Sequence, residues 1–420
     1  MLKIDNLSGY FKDTVILTGG VVFAQAVPVL VYPILARLYS PASFGVLSTL
    51  TSIVGILSIV ATLKYETSIL ITKSKRLAAE FTIAIQFVAL LIIAVFSLFL
   101  VLFPNLLPSL LNAPQIKNWL WVCPISAYGL VLFNSFNEWC VRNAYFKSLA
   151  INKMINGGSI QVGKLVFSFG AFNSFGLIIG DLLGHVVTGV SCVWRALKMD
   201  KESFMHPSIL HMKYLLRRYV DCPKYVLPGQ LLNKFGWELP VFFTMAFFSA
   251  EELGYYSMAM AILVLPASVI SRSVRDTFRK KANDIYLKTG NCARFYKKIF
   301  LYMSGLSILF FSVLWIIAPQ LFSIILGEEW IKSGYYSQLL TPMVAINFIT
   351  DVGTGMYYIR EKMNVLFFRQ VIYFLFTLAA MCLGGYVFKS IVATLLCLTI
   401  GRSLVFILDG FLTYRLAKGL

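Results

Sequence analysis

Charge is scarce in this sequence. Only 13% of its 420 residues are Asp, Glu, Lys or Arg, about half the ~25% of an average globular domain. Hydrophobic residues make up 58%. A soluble fold has too few polar groups here to cover that apolar surface. The shortage excludes a soluble enzyme or binding domain and calls for a chain whose outside faces lipid. Residues 81–103, FTIAIQFVALLIIAVFSLFLVLF, hold no charge at all. A helix of that length crosses a hydrocarbon core of about 30 Å. Histidine is rarer still, with three in the chain. The seven Cys show no paired spacing. Cys192, Cys222 and Cys292 fall in or beside connections expected in the cytosol, where thiols stay reduced. No disulfide, metal centre or other cofactor is expected. No P-loop pattern occurs, so ATP hydrolysis by this chain is not expected. A cleavable leader is not expected either. FAQA at 23–26 has a small-x-small form, but the apolar run continues through it, as in a first spanning helix.

What is present is long apolar tracts with punctuation. They predict an all-α polytopic membrane protein with twelve spans. These lie near 14–37, 44–70, 78–103, 118–141, 150–171, 174–196, 224–247, 252–272, 298–320, 333–358, 364–387 and 390–414. The fifth is Gly-rich and holds Lys164, a composition that suits close helix packing rather than lipid contact. Lys and Arg set the orientation. With the N-terminus in the cytoplasm, thirty of the 37 fall on the cytoplasmic side and four (Arg37, Lys117, Lys332 and Lys389) on the far side. Lys164, Lys234 and Arg402 remain within spans. This asymmetry predicts both termini in the cytoplasm. It also accounts for the net charge of +18 without a nucleic-acid partner.

Two basic connections stand out. Residues 198–223 include SILHMKYLLRRYV, with Ile209, Leu210, Leu215, Leu216 and Tyr219 among Lys213, Arg217 and Arg218. A helix of this kind lies on an anionic inner leaflet. The second, 273–297, is SVRDTFRKKANDIYLKTGNCARFYK. The expected organisation is a six-helix bundle over 1–200, an amphipathic linker over 201–223 and a second six-helix bundle over 224–420.

A weak repeat supports that division. PILARLYSPASFG at 33–45 is echoed by PVFFTMAFFSAEELG at 240–254. Ser40 and Ser249, Gly45 and Gly254, and Ser48 and Ser257 are each 209 residues apart. Both copies join two spans on the far side, with six spans between them. An even number keeps the orientation, so the bundles are expected to be parallel repeats about an axis along the membrane normal. That arrangement suits alternating access.

The first copy sits within LTGGVVFAQAVPVLVYPILARLYSPASFGVLSTLTSIVGILSIVATLKYETSIL. This stretch resembles the N-terminal signature of bacterial polysaccharide-transport proteins. These are the O-antigen and capsule-unit flippases of the multidrug/oligosaccharidyl-lipid/polysaccharide exporter superfamily. The features that carry the resemblance are Gly19, Gln25, Pro33, Arg37, Tyr39, Pro41, Phe44-Gly45 and Tyr65-Glu66, followed in the second half by Pro240, Gly254-Tyr255, Pro266 and Phe278. The resemblance implies translocation of an undecaprenyl-pyrophosphate-linked oligosaccharide, an O-antigen or capsule repeat unit, from the cytoplasmic to the periplasmic leaflet of the inner membrane.

Some charges lie where lipid contact would be costly, about 2.5–3.5 kcal/mol each. They are Glu138, Lys164, Asp181, Lys234, Glu238, Asp351, Arg402 and Asp409. His185 shares a helical face with Asp181, as Lys234 does with Glu238 and Arg402 with Asp409. Two readings stand. The last two sets form ion pairs that let a polar face fold, or the cations line a cleft and balance a pyrophosphate. The substrate-binding candidates are Arg37, Lys164, Lys234, Arg402, Gln25 and Asn233. The groups able to exchange H+ or hold Na+ are Glu66, Asp181, His185, Glu238 and Asp351. Glu66 has a second reading, pairing with Lys64 or Arg76 at a helix end. A multi-sugar headgroup in hydrocarbon leaves its hydroxyls unpaired, at several kcal/mol apiece. A hydrated cleft removes that barrier without covalent chemistry, and no catalytic residue is expected. The other partners expected are membrane lipids and polysaccharide polymerase machinery. A drug/cation antiporter of the same superfamily is the alternative, and a membrane polymerase or ligase a more distant one. The short far-side connections disfavour the last.

Overall fold

A computed structural model describes residues 7–168 and 175–419, with side chains from residue 19 onward. The side chains of Lys3 and Lys12 and the turn expected near 172–173 lie outside the described residues. The described chain is helical throughout. Its elements are α1 (Leu7–Leu38), α2 (Pro41–Thr62), α3 (Lys75–Leu102), α4 (Leu106–Leu110), α5 (Val122–Arg142), α6 (Phe146–Val166), α7 (Gly176–Phe204) and α8 (Ile209–Arg218). Then follow α9 (Leu227–Phe247), α10 (Ala250–Thr289), α11 (Ala293–Leu326), α12 (Ile331–Thr350), α13 (Gly355–Ile359), α14 (Met363–Cys382) and α15 (Ile391–Ala417).

Twelve of these helices have 20 residues or more, and they occupy the twelve expected spans. Among the described residues, nine spans are long and apolar enough to cross a membrane. The other three long helices are α5, α6 and α9, of 21 residues each. Their polarity has a plain source. Asn134, Asn137 and Glu138 lie on α5, Asn156, Gln161 and Lys164 on α6, and Asn233, Lys234 and Glu238 on α9. The helices that hydropathy alone would miss carry many of the candidate site residues.

The chain divides into two compact units. The first comprises residues up to Tyr39 with Val46–Leu231; the second comprises Ser40–Gly45 with Leu232–Leu420. In the first, α1 packs on α6, α6 on α7, and α5 on both α3 and α7. Asp200 ties the basic end together. It accepts from Trp139 Nε1 at 3.2 Å, from the Tyr145 hydroxyl at 3.0 Å and from Lys75. Its own backbone (φ −136°, ψ 35°) breaks the helical run of α7. The amphipathic segment 209–218 forms α8. Its apolar residues do not share one fate. Met212 and Leu215 are buried against Phe81, Ile85 and Trp139, whereas Ile209 and Leu210 are each 79% exposed. Buried Glu80 of α3 holds α8 in place through His211 Nδ1 at 2.9 Å.

In the second unit α12 packs against α10, α11 and α15, and α14 packs on α15. The expected break after residue 272 is absent. α10 runs unbroken for 40 residues because nothing between 273 and 289 stops it. It ends at Gly290, whose φ of +66° closes the helix with a bond to the Tyr286 carbonyl at 2.8 Å. Most of the second basic connection is therefore the end of a helix. The repeat turns have a shared local cause. The Ser249 hydroxyl caps α10 by accepting from Glu252 N at 3.1 Å, and the Ser40 hydroxyl accepts from Ser43 N at 3.4 Å at the start of α2. Within the second unit the two helix starts meet reciprocally. A Cβ on Gly45 would overlap the Ala250 carbonyl, and one on Gly254 would overlap the Pro41 carbonyl.

Candidate functional site

The first unit holds a buried three-residue charge cluster. Helices α6 and α7 approach closely because Gly163 faces Gly180, where a Cβ would stand 2.6 Å from a carbonyl oxygen. This contact brings Lys164 Nζ to 2.9 Å from Asp181 Oδ1. His185 Nε2 lies 3.4 Å from the other Asp181 oxygen. Lys164 and Asp181 are only 6% and 7% exposed. The Tyr39 hydroxyl donates to the Lys164 carbonyl at 3.2 Å. The Asp181–His185 pairing follows the helical spacing. The Lys164–Asp181 pair joins a cation and an acid that the sequence assigned to separate roles. Nearby polar groups remain unsatisfied, among them Gln25 Oε1 and Gln161 Oε1. Arg37 is exposed in the last turn of α1.

Glu66 lies in a short 3₁₀ turn, Tyr65–Ser68, after α2. It pairs with Lys64 at 3.1 Å, while Arg76 turns to Glu80 at 3.6 Å. Its second oxygen is buried without a partner. The adjoining Tyr65 hydroxyl donates to the Leu216 carbonyl at 3.1 Å, and burial raises its pKa above the ordinary value.

The second unit holds the larger polar assembly. Arg275 on α10 donates through Nη1 to both oxygens of Asp351, at 2.8 and 2.6 Å. The pair lines a cavity of ≈ 180 Å³ with Arg272, Ser268, Asn347 and Trp237. Asp351 was among the expected ion-coupling groups. The sequence reading takes Arg272 and Arg275 only as cytoplasmic-side charges and misses them as site residues. The available signal was the placing of Arg272, Arg275 and Arg279 at i, i+3 and i+7, one face of a continuing helix.

Lys234 and Glu238 form the expected pair, at 2.5 Å and partly exposed. Asn233, beside Lys234 on α9, is half-buried. The expected Arg402–Asp409 pair does not form, although the residues share a helix. Asp409 instead takes Arg369 Nε at 3.0 Å and the Tyr357 hydroxyl at 2.6 Å. Arg402 is fully buried, with its guanidinium 5.1 Å from the centre of the Trp237 ring and 5.0 Å from that of Tyr373. Its Nη2 donates to the Gly236 carbonyl at 2.5 Å. That carbonyl is free because the residue four positions on is Pro240, which has no N–H. Two helix neighbours seven apart therefore answer to different partners across the bundle.

This is a multi-pass, all-α membrane protein in which polar side chains gather inside each helical unit. Solved structures of membrane proteins share this fold. The lipid II flippase MurJ in an inward closed conformation aligns with a TM-score of 0.75 at 14% identity, over 96% of this chain and 87% of that one. An inward-facing multidrug resistance MATE family transporter of the MOP superfamily aligns with a TM-score of 0.69 at 15% identity, over 93% and 94%. A mutant of the MATE transporter VcmN from Vibrio cholerae aligns at 0.63 and 14% identity, over 97% and 95%. No curated protein sequence matches the chain significantly. A family model described as "Polysaccharide biosynthesis protein" matches residues 34–335, and the chain belongs to that family.

Proposed function

We propose that the protein is a flippase for an undecaprenyl-pyrophosphate-linked oligosaccharide, an O-antigen or capsule repeat unit. It moves this unit from the cytoplasmic to the periplasmic leaflet of the inner membrane by alternating access, coupled to H+ or Na+. The observation that carries the reading is the Arg272–Arg275 cavity of the second unit. Two guanidinium groups suit the oxygens of a diphosphate. The neighbouring Ser268, Asn347 and Trp237 offer the hydroxyl, amide and ring surfaces that a sugar needs. The cavity's cationic lining disfavours a cationic drug. Membership of a polysaccharide biosynthesis family and a fold shared with a lipid II flippase favour a lipid-linked glycan.

On this reading Arg275 is held by Asp351 until the pyrophosphate arrives and competes for it. The buried Lys164–Asp181–His185 cluster of the first unit is the coupling group. Deleting the gene should leave unpolymerised lipid-linked units accumulating inside the cell. Restoring Arg275→Gln should not clear them at normal membrane abundance. Normal surface glycan in the deletion strain would remove this reading.

A further inference from the structure

A second kind of site lies on the outside of the second unit. Helices α11, α12 and α15 enclose a groove of ≈ 670 Å³ that is separate from the polar cavity. Its walls are apolar, built by Ile308, Ile346, Ile349, Ile407 and Phe411. Its floor exists because residue 410 is glycine. A Cβ there would stand 3.0 Å from the Thr350 methyl group and begin to fill the space. One end is chemically different. Lys297 lines the mouth, and no carboxylate pairs with it among the described residues. Lys418 stands 4.8 Å from the centre of the Tyr414 ring, which also lines the groove. From Lys297 to Ile308 the helix advances about 16 Å, roughly half a hydrocarbon core. The groove thus combines an apolar channel at chain depth with two cations at headgroup level.

We propose that this groove binds an anionic phospholipid, with one acyl chain along α11 and its phosphate between Lys297 and Lys418. The charge decides the occupant. A zwitterionic lipid satisfies the apolar wall equally well but gains little from two unpaired ammonium groups, whereas an anionic headgroup complements both. The tail-first geometry distinguishes the site from a free phosphate site, for which the long apolar wall has no use. The inference needs only that the helices lie in a bilayer, and it stands apart from the identity of the transported molecule.

Native mass spectrometry of the full-length protein in mild detergent tests it. Phosphatidylglycerol and phosphatidylethanolamine are added at equal concentration. Phosphatidylglycerol should stay bound preferentially. Lys297→Gln with Lys418→Gln should weaken its retention roughly thirtyfold, as expected for two surface cations at about 1 kcal/mol each, and leave phosphatidylethanolamine unchanged. Both positions are exposed, so the variant should keep the wild-type elution volume. Ser304→Trp, which obstructs the channel, should lower retention of both lipids. Equal binding of the two lipids, or retention untouched by the double Lys variant, would overturn the proposal. Displacement of phosphatidylglycerol by equimolar polyprenyl phosphate would overturn the choice of occupant.

Discussion

Arg402 shows how one residue can be read two ways. In sequence it is a cation in a span, and thus a candidate for an anionic substrate. In the fold it closes a gap in α9, where Pro240 leaves the Gly236 carbonyl without its helical donor. Two aromatic rings flank the guanidinium and no water reaches it. Arg402→Gln should therefore destabilise the protein by about 3 kcal/mol or more, from an unpaired buried carbonyl and lost ring contacts. Thermal unfolding in detergent would show it as a clear drop in midpoint. Lys234→Gln, which opens a partly exposed pair, should cost less than about 1 kcal/mol by the same measurement. Equal effects would contradict this assignment. In the first unit, Asp181→Asn strands the Lys164 charge in a buried site and should cost about 3–5 kcal/mol. Adding Lys164→Gln should recover much of that loss. Additive losses in the cycle would mean that the two groups do not stabilise each other.

At the scale of elements, polarity and length do different work. α6 and α9 are too polar for a lipid-facing span; α6 buries Asn152, Gln161 and Lys164 inside its unit, whereas α9 leaves Lys234 and Glu238 partly exposed as a pair. α10 is longer than its span because helix propensity continues past the membrane-length segment until Gly290. α8 is amphipathic twice over, with one apolar edge spent on α3 and another left outward. Leu215→Ala should cost about 2–5 kcal/mol, since that side chain is 2% exposed, while Ile209→Ala should be nearly neutral. Resistance of the 199–223 segment to protease would report both. The helix starts at Pro41 and Ala250 depend on glycine one turn in. Gly254→Ala places a methyl group into the Pro41 carbonyl, a backbone atom that cannot rotate away. Its cost should exceed that of Gly290→Ala, where the penalty is the positive φ alone, about 1 kcal/mol.

At the scale of the whole molecule, the charge asymmetry predicts a topology. Reporter fusions after residues 74, 207, 290 and 418 should read cytoplasmic, and fusions near 110 and 329 external. A cytoplasmic signal at 329 would break the second half of that arrangement. The two compact units divide near residue 231, with one exception. The short stretch Ser40–Gly45 clusters with the second unit, because the first turn of α2 packs on the first turn of α10.

The sequence by itself determined the class, the number of long helices and the serine-capped turns. Each depends on composition or on contacts within four residues: hydropathy over some twenty positions, a serine hydroxyl three residues before its donor. The Asp181–His185 and Lys234–Glu238 pairs were legible for the same reason, being one helical turn apart. Only the tertiary structure decided which charges meet across helices. Lys164 reaches Asp181 because two glycines let α6 and α7 close, and Arg275 reaches Asp351 from 76 positions away. Asp409 turns from its helix neighbour Arg402 to Arg369 because the rotation of each helix sets which partner its carboxylate faces. That rotation is fixed by the packing of whole faces, and no local stretch of sequence contains it.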